Sequence, residues 1–239
     1  MRATEFEFRY RSLLNLLHFG VAFLAYSFDH QNFVWAIASF VAGENVQNAH
    51  LQARIIFACG ALLTAVAATI RTWAAAYLRS DVVHDTKLHS DVLVADGPYR
   101  YVRNPLYLGT FFLTIALGLL ASRTGFAILV GGAAIRILRL IGREEAILAD
   151  QQGERFREFC KRVPRLIPTI SPRLPAGGME PRWGQALLGE AFVWCCLAAM
   201  IAVTVTLELR MGWIALGAAV AVWLFHQVFR IWQRKAARA

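Results

Sequence analysis

The chain has 239 residues, 57% of them hydrophobic and 17% charged, with a formal net charge of +9. Ordinary soluble domains of this length are less apolar, and here the apolar residues come in long blocks rather than stripes, which points to a multi-span membrane protein. The basic residues flank those blocks instead of forming one soluble face, so anionic lipid headgroups are the expected counter-charge and a nucleic-acid partner is excluded.

Met1 to Arg11 is mixed in charge and precedes Leu13 to Phe28, a sixteen-residue apolar run interrupted by His18. That is short against the ~20 residues needed to cross a bilayer, and a basic start before a short apolar run also describes a signal peptide. No small-x-small cleavage pattern follows Ala25, so an uncleaved first span is expected. Phe33 to Ala42 is apolar but half a span long and reads as an interfacial or re-entrant piece. Ile55 to Leu78 forms an Ala-rich second span, with Arg71 near its end placed to snorkel toward headgroups or to enter a site. A polar loop over 80–104 leads to a third span, Leu106 to Ala121, and a fourth, Phe126 to Ile141. The short link from Ser122 to Gly125 makes those two an antiparallel hairpin. Gly131 and Gly132 give the fourth helix a smooth face for a neighbour.

Residues 142–183 are hydrophilic, beginning as a helix and breaking at Pro164, Pro168, Pro172, Pro175, Gly177 and Gly178. Such a break ends one unit and links to the next. Leu187 to Leu207 and Trp213 to Trp232 read as two further spans before a basic tail. The expected architecture is therefore all-α and polytopic, with about six transmembrane helices. It divides into N-terminal membrane helices (1–79), a core (80–170), a linker (171–186) and a C-terminal helix pair with its tail (187–239). With both termini cytoplasmic, 22 of the 25 Lys and Arg residues fall on that side and only Arg54, Arg123 and Arg210 do not. The positive-inside rule favours that orientation. It also puts 80–104 and 142–182 on one side of the membrane, where they can meet.

Four cysteines (Cys59, Cys160, Cys195, Cys196) form no CxxC pair, and the six histidines show no metal-binding spacing. No disulfide framework and no metal are expected.

Two constellations could carry chemistry. The stretch from Asp96 to Gly109 combines a Gly97-Pro98 turn and an Asn104-Pro105 helix start, Asn104 being its expected N-cap, with Tyr99, Tyr101, Tyr107, Arg100 and Arg103. Aromatic faces at a helix N-terminus can hold the cationic and anionic groups of one ligand together. The same tyrosines also suit an interfacial belt. The second constellation is Arg136, Arg139 and Arg143, which share a helix face, followed by Glu144 and Glu145. Snorkelling anchors explain the arginines equally well; facing inward they would clamp a carboxylate or phosphate.

Gly97-Pro98-Tyr99, Arg103-Asn104-Pro105-Leu106-Tyr107-Leu108-Gly109, Glu144-Glu145 and the run from Gly153 to Pro168 occur in an order that resembles the isoprenylcysteine carboxyl methyltransferase family and its phospholipid methyltransferase relatives. The likeness covers roughly residues 80–170. It implies a helical membrane enzyme that uses S-adenosylmethionine, cupped on the cytoplasmic side. Carried over, it places Leu93 and Val94 near the adenine or the main chain, and Tyr99, Asn104, Pro105 and Tyr107 around the cofactor. Glu144 or Glu145 would hold its polar end. Asn104 stands where the prenylcysteine enzymes commonly show His, a departure that bears on the acceptor more than on the cofactor. A carboxylate acceptor needs only a cation to hold it, and Arg139 or Arg143 is expected to supply it, with Arg136 third. An amine acceptor would need a base, for which only His84 and His89 lie nearby in sequence. The expected partners are membrane lipids and a lipophilic substrate entering from the bilayer, most like a prenylcysteine carboxylate, with a phospholipid as the alternative.

Overall fold

The computed structural model describes residues 2–78 and 95–236. Among these the regular structure is helical throughout, with one isolated bridge between Asn32 and Ser122. The helices are α1 (Glu5–Arg9), α2 (Arg11–Leu24), α3 (Phe33–Ala42), α4 (Val46–Tyr77), α5 (Pro105–Gly118), α6 (Arg123–Gln152), α7 (Glu154–Arg162), α8 (Trp183–Gly189), α9 (Ala191–Thr206) and α10 (Leu209–Ala236). Short 3₁₀ turns cover Ala25–Ser27 and Gly97–Arg100.

The long helix α4 is the hub, packed by α3, α5, α8 and α9, while α6 lies on α5, α2 on α6 and α10 on α9. Its small residues explain the role. Ala53, Ala67, Ala68 and Ala74 are fully buried, and a Cβ at Gly60 would meet side-chain atoms of Leu119 and Met200 at 2.5 and 2.7 Å. Close approach lets α4 touch several neighbours at once.

By length and hydropathy, two helices among the described residues suffice to cross a membrane, α4 and α6, or three if α8 and α9, bent by 58°, count as one span. The six spans expected from the apolar runs exceed that number. The first run is cut to the 14 residues of α2 by its 3₁₀ turn, and α5 spans 14 residues, about 21 Å at 1.5 Å per residue. The outer surface stays apolar nonetheless, with Leu13, Leu16, Leu17 and Val21 on α2 and Ile135 and Leu138 on α6 exposed.

The α5–α6 hairpin expected from its short link is present, and its turn is tied down by the segment between α2 and α3. Asn32 caps α3 by accepting from the Val34 and Trp35 amides, while its own amide donates to the Leu119 and Ala121 carbonyls. Asp29 accepts from the Thr124 amide (2.8 Å) and hydroxyl (2.9 Å) and from Arg123 (3.1 Å), which places its charge at the N-terminus of α6. Of the two glycines on α6, Gly132 meets a neighbour: a Cβ there would lie 2.5 Å from Nε2 of His18 on α2, whereas Gly131 faces open space.

Candidate functional site

The site is assembled at the end of the bundle where α4 finishes, α5 begins and α6 runs past. Gly97 has φ +56°, and a Cβ on it would lie 2.4 Å from the Tyr77 ring, so both conformation and space restrict this position to glycine. Pro98 is the second residue of the 3₁₀ turn, and its carbonyl accepts from the amides of Tyr101 and Val102. The turn buries Tyr99, which is 8% exposed. Pro105 is the first residue of α5, as its missing N–H allows.

Side chains from three elements converge there. The Tyr107 hydroxyl donates to Glu144 at 2.7 Å. Glu145 accepts from Arg103 (3.3 Å) and from Nε of Arg165 (2.9 Å), with the Asn104 amide at 3.4 Å. The expected side-chain cap by Asn104 is not made. Its amide is turned away from the helix start and donates to the Arg165 carbonyl at 3.1 Å. The Tyr99 hydroxyl is buried without a protein partner. Burial raises its pKa, with Glu144 adding to the shift, so it stays protonated as a donor.

Tyr99, Asn104, Pro105, Tyr107, Glu144 and Glu145 are thus gathered at one end of the bundle. Leu93, Val94, His84 and His89 lie outside the described residues. Arg139 and Arg143 share a face, as their spacing requires, and that face meets the N-terminal arm. Arg139 pairs with Glu7 at 2.7 Å, and the Arg139 hydrogen bond is the largest influence holding the Glu7 carboxyl down to about 2. Arg143 donates to the Ala3 carbonyl at 3.1 Å and lies 5.6 Å from the centre of the Phe8 ring. Arg136 donates to the Leu14 carbonyl at 3.2 Å. Phe8, Ala3 and Leu140 form a small apolar cluster against Tyr107, so the arm closes over one side of the site.

Sequence reasoning missed two contributions. The Pro- and Gly-rich stretch read as a linker is a strap bonded along the motif loop. Arg103 N–H donates to the Pro164 carbonyl, Thr169 N–H to Tyr101 and Arg173 N–H to Arg100, and Asp96 accepts from the Gly177 and Met179 amides at 2.7 and 2.9 Å. Backbone pairing of this kind leaves no side-chain pattern. The second is Glu190, 2% exposed, which forms a bidentate pair with Arg71 at 2.7 and 2.9 Å. A carboxylate inside an apolar run was its available signal.

A half-buried carboxylate, an unpartnered phenol and aromatic faces suit a ligand bearing both a cationic group and hydroxyls. The orphan Tyr99 hydroxyl in particular has hydrogen-bonding capacity that a ligand can use.

Residues 55–155 match the family model described as phospholipid methyltransferase, so the resemblance carried by the motif residues is borne out over that segment. A cobalt-zinc-cadmium resistance protein of Cupriavidus metallidurans is 26% identical over 138 residues, 57% of this chain and 60% of that protein. A protein-S-isoprenylcysteine O-methyltransferase of Schizosaccharomyces pombe is 30% identical over 92 residues, 38% of this chain and 39% of that protein. A nickel-cobalt-cadmium resistance protein of Alcaligenes xylosoxydans xylosoxydans is 25% identical over 148 residues, 59% and 66% of the two chains. The chain therefore spans between 39% and 66% of the length of these relatives. No solved structure matches.

Proposed function

We propose, with the phospholipid methyltransferase match over residues 55–155 as premise, that this protein is an integral membrane methyltransferase. In this reading it binds S-adenosylmethionine at the cytoplasmic end of the helices and methylates a lipophilic acceptor that enters from the bilayer, most like the carboxylate of a prenylated cysteine. The observation that carries the reading is the group formed by the buried orphan hydroxyl of Tyr99 and the half-buried Tyr107–Glu144 hydrogen bond at the start of α5, inside the matched segment.

S-adenosylmethionine supplies an activated methyl on a sulfonium. The chain's task is then to align donor and acceptor in line and to exclude water. Glu144 is placed to accept from an ammonium or a ribose hydroxyl, the Tyr99 hydroxyl to donate, and the tyrosine faces to stabilise the sulfonium charge. Glu145, held by Arg103 and Arg165, fastens the motif turn to the end of α6. The exposed apolar side chains of α2 and α6 favour an acceptor drawn from lipid.

A phospholipid amine is the second acceptor class, and one observation favours it. Arg139 and Arg143, the cations expected to hold a carboxylate, are engaged by Glu7 and by the Ala3 carbonyl.

The test is calorimetric titration of the purified protein with S-adenosylmethionine and with its demethylated product. Labelled transfer to a prenylated cysteine analogue and to phosphatidylethanolamine then separates the acceptors. If the protein binds neither form of the cofactor, and Glu144→Ala and Glu145→Ala change nothing, the reading fails.

A further inference from the structure

Arg71 and Glu190 form the most enclosed ion pair among the described residues, with side chains 19% and 2% exposed. Arg71 lies near the end of α4, and Glu190 sits at the elbow between α8 and α9, outside residues 55–155. Glu190 engages Nε and Nη2 of the guanidinium, leaving Nη1 to donate to the Thr110 hydroxyl at 2.5 Å and the Leu106 carbonyl at 3.3 Å. Thr110 in turn donates to the same Leu106 carbonyl at 2.8 Å. The aliphatic stem of Arg71 crosses α5 at Gly109, where a Cβ would lie 2.5 Å from its Cγ. The carboxylate is thus connected, through one guanidinium, to the first two turns of α5, which follow Asn104 and carry Pro105 and Tyr107. Both charges also act on the buried Tyr99 hydroxyl. The helices on either side of the elbow are fastened to α4 independently: Trp194 Nε1 on α9 donates to the Thr72 hydroxyl at 3.1 Å, and the Arg182 amide, at the start of α8, to the Ala76 carbonyl at 2.8 Å.

Packing alone does not require a charged pair at this place. Buried ion pairs gain little over well-packed apolar residues, because desolvation offsets their attraction. Trp194 and Arg182 already hold the elbow, so the directional hydrogen bonds are what the pair adds. We propose that Glu190 is a positioning residue for the site: by holding Arg71 bidentately it fixes the guanidinium against Leu106 and Thr110, and with it the first turns of α5. This rests on the methyltransferase reading for what the site binds, but the positioning itself can be observed without it.

The experiment uses the full-length protein in detergent, with S-adenosylhomocysteine as the calorimetric probe and backbone amide exchange over 104–110 as the structural readout. Glu190→Gln keeps the shape and removes the charge. Its expected effect is about a tenfold weaker titration and faster exchange in the first turns of α5, with Glu190→Asp recovering part of both. The double variant Arg71→Met, Glu190→Met removes the directional bonds while filling the space. It is expected to unfold at close to the wild-type temperature and still bind the probe weakly. Unchanged exchange in Glu190→Gln overturns the proposal, as does full recovery of probe affinity in the double variant, because either result reduces the pair to packing. If the wild type does not bind the probe, the methyltransferase reading fails, and faster exchange in Glu190→Gln still sustains the positioning role.

Discussion

The Tyr107 hydroxyl donates to the Glu144 carboxylate at 2.7 Å and joins the first turn of α5 to α6, which runs past it. Tyr107→Phe keeps the ring and deletes the donor. A fully buried acceptor that loses its partner costs about 1–3 kcal/mol, and the half-buried Glu144 less. The variant is therefore expected to unfold at a lower temperature and to bind S-adenosylhomocysteine more weakly. Thermal melts with and without the probe check this, and a melt unchanged in both conditions counts against the bond's importance.

Glu7 and Arg139 tie the N-terminal arm to α6 through a pair that is 31% and 25% exposed. Pairs this open to solvent contribute about 0.2–1 kcal/mol. In a double-mutant cycle, Glu7→Ala and Arg139→Ala are expected to couple by that amount in stability. If Arg139 also holds an acceptor carboxylate, its loss raises the acceptor KM while Glu7→Ala does not. Equal KM values for the two variants confine Arg139 to seating the arm.

Local signals in the chain were legible where one residue type dictates backbone geometry. Gly97-Pro98 became a turn and Pro105 a helix start, and the link at Ser122 closed a hairpin. The shared face of Arg136, Arg139 and Arg143 followed from helical spacing, but its occupant did not. Glu7 lies 132 residues from Arg139 along the chain, and nothing in its own neighbourhood distinguishes it from an ordinary surface acid. Glu190 was hidden for a related reason. A hydropathy reading absorbs one carboxylate into an apolar run, although Arg71 sits in another run with the opposite charge. Asn before Pro is a good helix start, yet the Asn104 amide donates to Glu145 and to the Arg165 carbonyl, which turns the side chain away from a cap.

At the opposite end of the hairpin from the site, Asp29 holds the start of α6. Hydrogen bonds from Thr124, led by its backbone amide, together with Arg123, lower its pKa to about 2, against an ordinary aspartate value of ~3.9. A carboxyl whose folded pKa is depressed binds fewer protons folded than unfolded near pH 3. Its stabilising contribution is therefore full above the ordinary value and lost as pH falls toward 2. Unfolding measured from pH 5 to pH 2 is expected to show a steeper loss of stability in the wild type than in Asp29→Asn. Parallel curves for the two proteins exclude Asp29 as a source of the acid sensitivity.

Asp96 does for the strap what Asp29 does for the hairpin. Its two oxygens accept separately from the Gly177 and Met179 amides, and these bonds, the Gly177 one foremost, lower its pKa. The approach is close enough that a Cβ on Gly177 would lie 2.8 Å from the carboxylate. Asp96→Asn replaces one acceptor with an amide group that faces an N–H, so one of the two bonds must go, and the charge assistance goes with it. The strap is exposed along most of its length, Arg173 included, so its detachment is readable as trypsin cleavage after Arg173. Cleavage in Asp96→Asn is expected to be several-fold faster than in the wild type. The motif turn should loosen with it, because Arg100 donates to the Leu174 carbonyl and its own carbonyl accepts from the Arg173 amide. If cleavage stays at the wild-type rate, the remaining backbone bonds at Pro164, Tyr101 and Arg100 hold the strap without Asp96.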